Sequence, residues 1–202
     1  MHADKLTASY PLISEQVNKD QVRVILRELE TVLASGLDGA VVEFGCYIGT
    51  TSLFIRRLLD AHKDNRAFHV YDSFAGLPPK TTKDSSSAGE QFQAGELTVS
   101  KKQFIHEFQK ANLRTPYIHK GWFGELTARD VPDQIAFAFL DGDFYESIRD
   151  SLQLVLPSMQ AGGIIVVDDY AREALPGAAK AVHEKIPSYK VTTSHNLGVI
   201  KI

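Results

Sequence analysis

Two hydrophobic periods alternate along the chain and predict an alternation of helices and strands. Apolar residues spaced three and four positions apart indicate amphipathic helices. Ser14 and Ser100 stand where a helix cap is expected, and Gly36 and the pair at 162–163 stand where a helix is expected to end. Predicted helices cover 14–35, a stretch beginning near Thr50, 100–113, 146–163 and 175–187.

Short apolar runs bounded by turn residues indicate strands between these helices. Strands that alternate with helices predict a parallel sheet covered on both faces. Two final runs, separated by His195 and Asn196, indicate a hairpin that adds an antiparallel edge. The expected fold class is therefore α/β, with one doubly wound, mostly parallel sheet of seven strands. The predicted strands cover 39–45, 67–72, 116–121, 134–143, 162–170, 188–194 and 197–202.

Composition narrows the class of protein. The 202 residues are 44% hydrophobic, which suits one domain with a core of its own. The net charge of −3, with both signs mixed along the chain, predicts neither a nucleic-acid surface nor a membrane patch, so small molecules are the expected partners. The single Cys46 excludes an intramolecular disulfide and is typical of a reducing cytosol. No signal peptide or membrane span is apparent, and we expect a cytoplasmic protein.

The chain is expected to form a single domain over 1–202 with two additions to the alternating pattern. Residues 1–38 would be an N-terminal helical extension. Residues 73–98 are rich in Ser, Thr, Pro, Lys and Gly, and a long irregular stretch inside a compact domain is usually a functional lid or disordered. We expect this segment to be a lid over the active site.

The turn VVEFGCYIGTTS lies after the first strand, where open parallel sheets usually bind ligands. Gly45 and Gly49 would let the backbone turn tightly and approach a ligand. The dinucleotide pattern GxGxxG is missing, and Glu43 suits an ammonium group better than a phosphate. Asp72, which closes the second strand, could accept hydrogen bonds from both hydroxyls of a ribose. Together these residues predict a nucleoside pocket without a phosphate site. The alternative is that the glycine segment is an ordinary strand-to-helix turn of an α/β domain.

Aspartates end two strands that a doubly wound sheet would make neighbours. Asp141 ends the fourth strand, and Asp168 and Asp169 end the fifth. Carboxylates so near to one another repel, and a divalent cation such as Mg²⁺ would relieve the repulsion. A hydroxyl bound to the cation has a lowered pKa, so a neighbouring carboxylate could remove its proton. The alternative is that these aspartates cap the following segments, which is our expectation for Asp143.

A succession of motifs resembles the macrocin O-methyltransferase family. It comprises VVEFGCYIGTTS, YDSFAGLP, FQAGELTVS, KGWF, FLDGDFYES and GGIIVVDDYAREALPGAAKAV, and runs from Gly39 to Val182. The resemblance implies a Rossmann-like methyltransferase fold and an enzyme that uses S-adenosylmethionine and a metal to methylate sugar hydroxyls in natural products. The glycine segment is also similar to that of catechol-type O-methyltransferases.

Carried over position by position, the resemblance implies three groups of site residues. Mg²⁺, or another hard divalent cation, would be held by Asp141, Asp168 and Asp169, with Asp141 as the base. The methionine end of S-adenosylmethionine would contact Glu43, Gly45, Tyr47, Gly49 and Thr51. The nucleoside end would contact Asp72 with Ser73 at the ribose, and Trp122 with Phe123 at the adenine.

The leading hypothesis is thus an O-methyltransferase acting on a hydroxyl of a small acceptor, a sugar or another natural product. The alternatives are a catechol-type phenolic O-methyltransferase, an NAD-dependent oxidoreductase and a non-catalytic nucleoside-binding module. The missing GxGxxG argues against the oxidoreductase, and the acidic cluster argues against a pure binder. The sequence leaves open the acceptor, the metal, a homo-oligomeric state, and whether His195 or Asp143 takes part in catalysis.

Overall fold

The computed structural model describes residues 1–88 and 92–202. These residues form a seven-stranded sheet with helices packed on it. The strands are β1 (Ala40–Phe44), β2 (Phe68–Asp72), β3 (Tyr117–Lys120), β4 (Ile135–Leu140), β5 (Met159–Val167), β6 (Val191–Ser194) and β7 (Leu197–Lys201). The strand order is β3-β2-β1-β4-β5-β7-β6, in which β1 to β5 run parallel and β7 runs antiparallel to β5 and β6. The predicted α/β class, the sheet of seven strands and the antiparallel C-terminal hairpin are confirmed.

Helices cover both faces of the sheet because successive strand residues point to opposite sides. The α-helices are α1 (His2–Ser9), α2 (Lys19–Ser35), α3 (Thr50–Ala61), α4 (Lys101–Lys110), α5 (Tyr145–Val155) and α6 (Pro176–Lys185). Val41 of β1 packs in the core beneath α2, α3 and α4, whereas its neighbour Val42 packs in the core beneath α5 and α6. No described helix is long and apolar enough to cross a membrane.

The first predicted helix begins later than the sequence suggested. Asn18 is its N-cap and accepts hydrogen bonds from the N–H groups of Asp20 and Gln21. The Gln21 side chain accepts the N–H of Asn18 in return, which completes a capping box. Ser14 lies outside the helix and is hydrogen-bonded to the Thr50 hydroxyl at 2.8 Å. The helix ends at Gly36 as predicted, with a φ of 70°. Helix α1 lies within the predicted N-terminal helical extension but was not predicted as a separate helix, since it buries only two side chains and has little periodicity.

The predicted helix over 146–163 was also too long. Helix α5 ends at Val155, a short 3₁₀ turn over Leu156–Ser158 follows, and β5 begins at Met159. The paired glycines therefore lie inside a strand rather than at a helix end. A Cβ on Gly163 would lie 2.9 Å from the carbonyl oxygen of Ala136, so glycine allows β5 to approach β4 closely.

The segment predicted as a lid is firmly attached to the domain along part of its length. Asp84 is only 2% exposed, and its carboxylate accepts the N–H of Tyr145 at the start of α5 at 2.7 Å. Lys83 forms an ion pair with Glu184 of α6 at 2.7 Å. A Cβ on Gly177 would overlap the Asp84 carboxylate, so α6 needs glycine at this contact. Residues 89–91 of the predicted lid lie outside the described residues.

Candidate active site

A cleft of about 550 Å³ opens beyond the carboxyl ends of β1, β2, β4 and β5. Gly45, Asp72 and Asp141 line it, and the same three residues line a neighbouring pocket of about 370 Å³. The predicted glycine turn and the predicted acidic strand ends therefore meet in one place. This is the edge where open parallel sheets bind ligands.

The glycine turn is shaped by close packing as well as by its tight bend. Gly45 has a φ of +85°, and a Cβ there would overlap the carbonyl oxygen of Asp141, which directly follows β4. Gly49 has a φ of +98° and is the N-cap residue of α3. A Cβ on Gly49 would lie 2.9 Å from the ring of Phe104. Both positions require glycine for conformation and for space.

Asp72 holds the turn in place. One carboxylate oxygen accepts the N–H groups of Cys46 at 2.9 Å and Tyr47 at 3.0 Å, and the other accepts the N–H of Phe74 at 2.7 Å. A carboxylate offers about four lone-pair positions, so about one remains for a ligand. Asp72 therefore holds the backbone of the glycine turn and of the segment after β2. A ribose bound there would share a carboxylate that already accepts three hydrogen bonds.

Glu43 is buried beneath the turn, with 1% of its surface exposed. The Ser52 hydroxyl donates a hydrogen bond to its carboxylate at 2.5 Å. Burial raises the pKa of Glu43 to about 8, and the Ser52 hydrogen bond only partly opposes this. Glu43 lines a small cavity together with Tyr47 and Thr51, two further residues predicted at the methionine end. Its burial therefore favours the neutral form of this carboxyl at pH 7.

A protonated Glu43 predicts a specific dependence of stability on pH. Because its folded pKa lies above the ordinary value, its contribution to stability is full below about pH 4.5 and is lost as the pH rises towards about 8. Glu43→Gln, which cannot ionise, should therefore lose less stability than the wild type over this interval. Urea unfolding at about pH 5 and about pH 8.5 measures the difference. The exposed Glu125→Gln is the control, and equal slopes for all three proteins would contradict the buried neutral carboxyl.

Four aspartates form an acidic cluster at the ends of β4 and β5. Asp141, Asp168 and Asp169 are joined by Asp143, and all four line the larger cleft. Burial raises the pKa of each, to about 7 for Asp168 and about 8 for Asp143, and repulsion within the cluster adds to the effect for Asp141, Asp143 and Asp168.

The prediction that Asp143 caps the following helix was wrong. Phe144 is the N-cap residue of α5, without a side-chain cap, and the N–H of Tyr145 is accepted by Asp84 instead. Asp143 has a φ of 56°, a left-handed conformation that places it in the turn rather than in the helix start. The sequence Asp-Gly-Asp directly after a buried strand was the signal that could have placed both aspartates at the cleft.

The cluster makes two polar contacts with residues that the sequence did not single out. Gln21 of α2 donates a hydrogen bond to Asp168 at 3.2 Å, and Arg172 forms an ion pair with Asp169 at 3.2 Å. Within residues 1–88 and 92–202, no three His, Cys, Asp or Glu side chains are arranged as a metal site. The donor set nevertheless suits a hard cation, because it is buried, consists of oxygen atoms and is under mutual repulsion.

The remaining predicted residues lie around the smaller pocket. Ser73, Trp122 and Phe123 line it, and Trp122 is 37% exposed, so it is not simply filling the core. The ring of Phe123 packs edge-on against Phe44 with ring centroids 5.2 Å apart. His195 lies in the turn between β6 and β7 and lines neither pocket as described. The cleft residues that sequence reasoning did not name are Gln16, Gly76, Leu77, Phe92, Leu97 and Arg172.

Known proteins show similarity along nearly the whole chain. The family model described as Macrocin-O-methyltransferase (TylF) matches residues 6–196. The 8-demethyl-8-(2,3-dimethoxy-alpha-L-rhamnosyl)-tetracenomycin-C 4'-O-methyltransferase of Streptomyces olivaceus is 34% identical over 171 residues, 81% of this chain and 64% of that protein. The demethyldecarbamoylnovobiocin O-methyltransferase of Streptomyces niveus is 31% identical over 150 residues, 70% of this chain and 56% of that protein. The chain thus spans less than two thirds of the length of these two relatives.

The fold agrees with these matches. The structure of the O-methyltransferase NovP superposes with a TM-score of 0.78 at 25% identity, covering 92% of this chain and 80% of that one. The calicheamicin methyltransferase CalS11 superposes with a TM-score of 0.72 at 18% identity, covering 99% and 90% of the two chains, which supports the fold. By its sequence and its fold, the chain belongs to the macrocin O-methyltransferase family.

Proposed function

We propose that this protein is an S-adenosylmethionine-dependent and divalent-metal-dependent O-methyltransferase that acts on a hydroxyl of a small acceptor. The observation that carries the proposal is the meeting of an acidic cluster with a glycine turn that lacks a phosphate site. Family membership supports the reaction class, and the rhamnosyl group in the substrate named for one relative favours a sugar or another natural product as the acceptor. A catechol-type phenolic acceptor is the second candidate, because it needs the same groups.

The cofactor would occupy the smaller pocket and the glycine turn. Glu43, Gly45, Tyr47, Gly49 and Thr51 would surround its methionine end, where Glu43 lies beneath the turn as a partner for the ammonium group. The nucleoside end would lie against Asp72, Ser73, Trp122 and Phe123, which line one continuous pocket. This arrangement supplies a carboxylate and aromatic surface but no phosphate-binding pattern, as a sulfonium nucleoside requires.

The cation would be held by Asp141, Asp168 and Asp169. When bound, it would lower the pKa of an acceptor hydroxyl and neutralise the cluster. Asp141 would take the hydroxyl proton, and Asp143 is a second candidate because it lines the same cleft. The rest of the acceleration would come from holding the hydroxyl in line with the methyl group. The segment 73–98 would close over the acceptor, with the stretch around Asp84 serving as its fixed base.

Chelation tests the metal. We expect excess EDTA to abolish methyl transfer from labelled S-adenosylmethionine to glycoside or catechol acceptors, because the uncompensated aspartates would no longer activate the hydroxyl. Added Mg²⁺ should restore the activity. Equilibrium binding of S-adenosylmethionine, measured with and without EDTA, is the control and should change little. Full turnover in the chelator would refute metal dependence, and binding of NAD in place of S-adenosylmethionine would favour an oxidoreductase.

A further inference from the structure

Gln21 joins the N-terminal helix to the acidic cluster. It lies in the first turn of α2, is 7% exposed, and uses both ends of its side-chain amide. Its oxygen accepts the backbone N–H of Asn18 at 3.0 Å. Its nitrogen donates to the Oδ1 atom of Asp168 at 3.2 Å, in a buried hydrogen bond between residues 147 positions apart.

The orientation of the Gln21 amide follows from these partners. The backbone N–H of Asn18 can only donate a hydrogen bond, so the amide oxygen must face it. The NH₂ group is thereby directed at Asp168, which can accept. One amide thus completes the capping box of α2 and holds Asp168, which lines the cleft, and the two tasks use different atoms.

Asp168 is held from one side only. Its Oδ1 atom accepts the NH₂ group of Gln21 and the backbone N–H of Asp169, the latter at 2.8 Å. Its Oδ2 atom has no hydrogen-bond partner among the residues that the structure describes. Two donors on one oxygen set the direction of the carboxylate, and the second oxygen is left for a ligand in the cleft.

A neutral donor suits this task better than a charged one. An arginine or lysine at position 21 would form an ion pair with Asp168 and would compete with a cation for it. The Gln21 amide fixes the carboxylate without supplying a positive charge. Groups that hold a metal-binding carboxylate from behind commonly influence metal affinity by about 10–100-fold.

We propose that Gln21 is a positioning residue for the cation site: it holds Asp168 so that its free oxygen faces the bound metal. The proposal rests on the proposed function, since it takes Asp168 to be a metal ligand. It extends the site to a residue of the N-terminal segment. The simpler reading is that Gln21 is only a helix cap whose contact with Asp168 is incidental.

Two variants separate these readings. Gln21→Met keeps a side chain of similar volume but removes the donor to Asp168 and the acceptor for Asn18. Asn18→Ala removes the cap oxygen that Asp20 and Gln21 use, and leaves both ends of the Gln21 amide with their partners. Both variants should lower the melting temperature, because both weaken the start of α2.

The measurement is binding of Mn²⁺, as a probe for the hard cation, to the full chain by isothermal titration. We expect Gln21→Met to bind Mn²⁺ about 10-fold or more weakly than the wild type, and Asn18→Ala to bind it within about 2-fold. Both should bind S-adenosylmethionine normally, which shows that they are folded. Unchanged Mn²⁺ affinity in Gln21→Met, or an equal loss in Asn18→Ala, would overturn the positioning role. Absence of Mn²⁺ binding in the wild type would instead overturn the metal in the proposed function, and the positioning role with it.

Discussion

Replacing Asp141 with Asn should lower kcat by roughly 10²–10⁴-fold, the range expected when a positioned proton acceptor is lost. Asp141 would serve as both base and metal ligand, and the amide can serve well as neither. The same change should not lower the melting temperature of the metal-free protein. Burial and repulsion by Asp168 and Asp143 raise the pKa of Asp141 well above its usual range, so the folded protein disfavours the charged carboxylate, and the neutral amide of Asn avoids that cost.

A loss of activity without a loss of stability makes the test specific. Initial rates with labelled S-adenosylmethionine give kcat, and thermal unfolding gives stability. Asp133→Asn, an exposed aspartate just before the same strand, is the matched control and should change neither quantity. A kcat within about 3-fold of the wild type would exclude Asp141 as the base. Asp143→Asn, measured in parallel, would then show whether the neighbouring carboxylate has this role.

Gly45→Ala should be the most destabilising single-methyl change in the turn. The added Cβ would overlap the carbonyl oxygen of Asp141 and lie 2.8 Å from its carbonyl carbon, and both atoms are backbone that cannot rotate away. The residue would also have to hold a φ of +85°. We expect a loss of about 4 kcal/mol or more in the free energy of unfolding, a large part of the ~5–15 kcal/mol of a typical domain.

Gly36→Ala is the matched control for this prediction. Gly36 also has a positive φ, +70°, but a Cβ there meets nothing within 4 Å. Its cost should be only that of the left-handed backbone, about 1–2 kcal/mol. The difference between the two variants in urea unfolding therefore measures the overlap with β4. A similar loss for both would mean that the strands can separate at the turn without penalty.

The N-terminal segment is more closely tied to the site than a simple extension would be. Ser14 is hydrogen-bonded to Thr50 at the start of α3, Gln16 lines the cleft, and Gln21 reaches Asp168. The cleft therefore depends on residues that precede the first strand. We expect removal of residues 1–17, which takes away Ser14 and Gln16, to disturb the cleft as well as to lower the stability.

The sequence by itself determined the order and kind of the main elements, since hydrophobic spacing is a local property. It also placed Asp141, Asp168 and Asp169 together, because parallel strands present their carboxyl ends at one edge of a sheet. The sequence also located the glycine turn at this edge, because the turn directly follows the carboxyl end of the first strand. Local rules were less reliable where two readings compete, as at the paired glycines 162–163, which lie in β5 instead of ending a helix, with Gly163 packed against β4.

The tertiary structure alone decided which side chains support the site. Gln21 and Asp168 are 147 positions apart, and no local pattern predicts their hydrogen bond. Asp84 is one polar residue in a polar segment of the sequence, yet it is buried and accepts the N–H of Tyr145 at the start of α5. Asp143 therefore does not cap this helix and lines the cleft instead. Hydrogen bonds between residues far apart in sequence form only when helices and strands pack together. Local sequence patterns therefore cannot predict them.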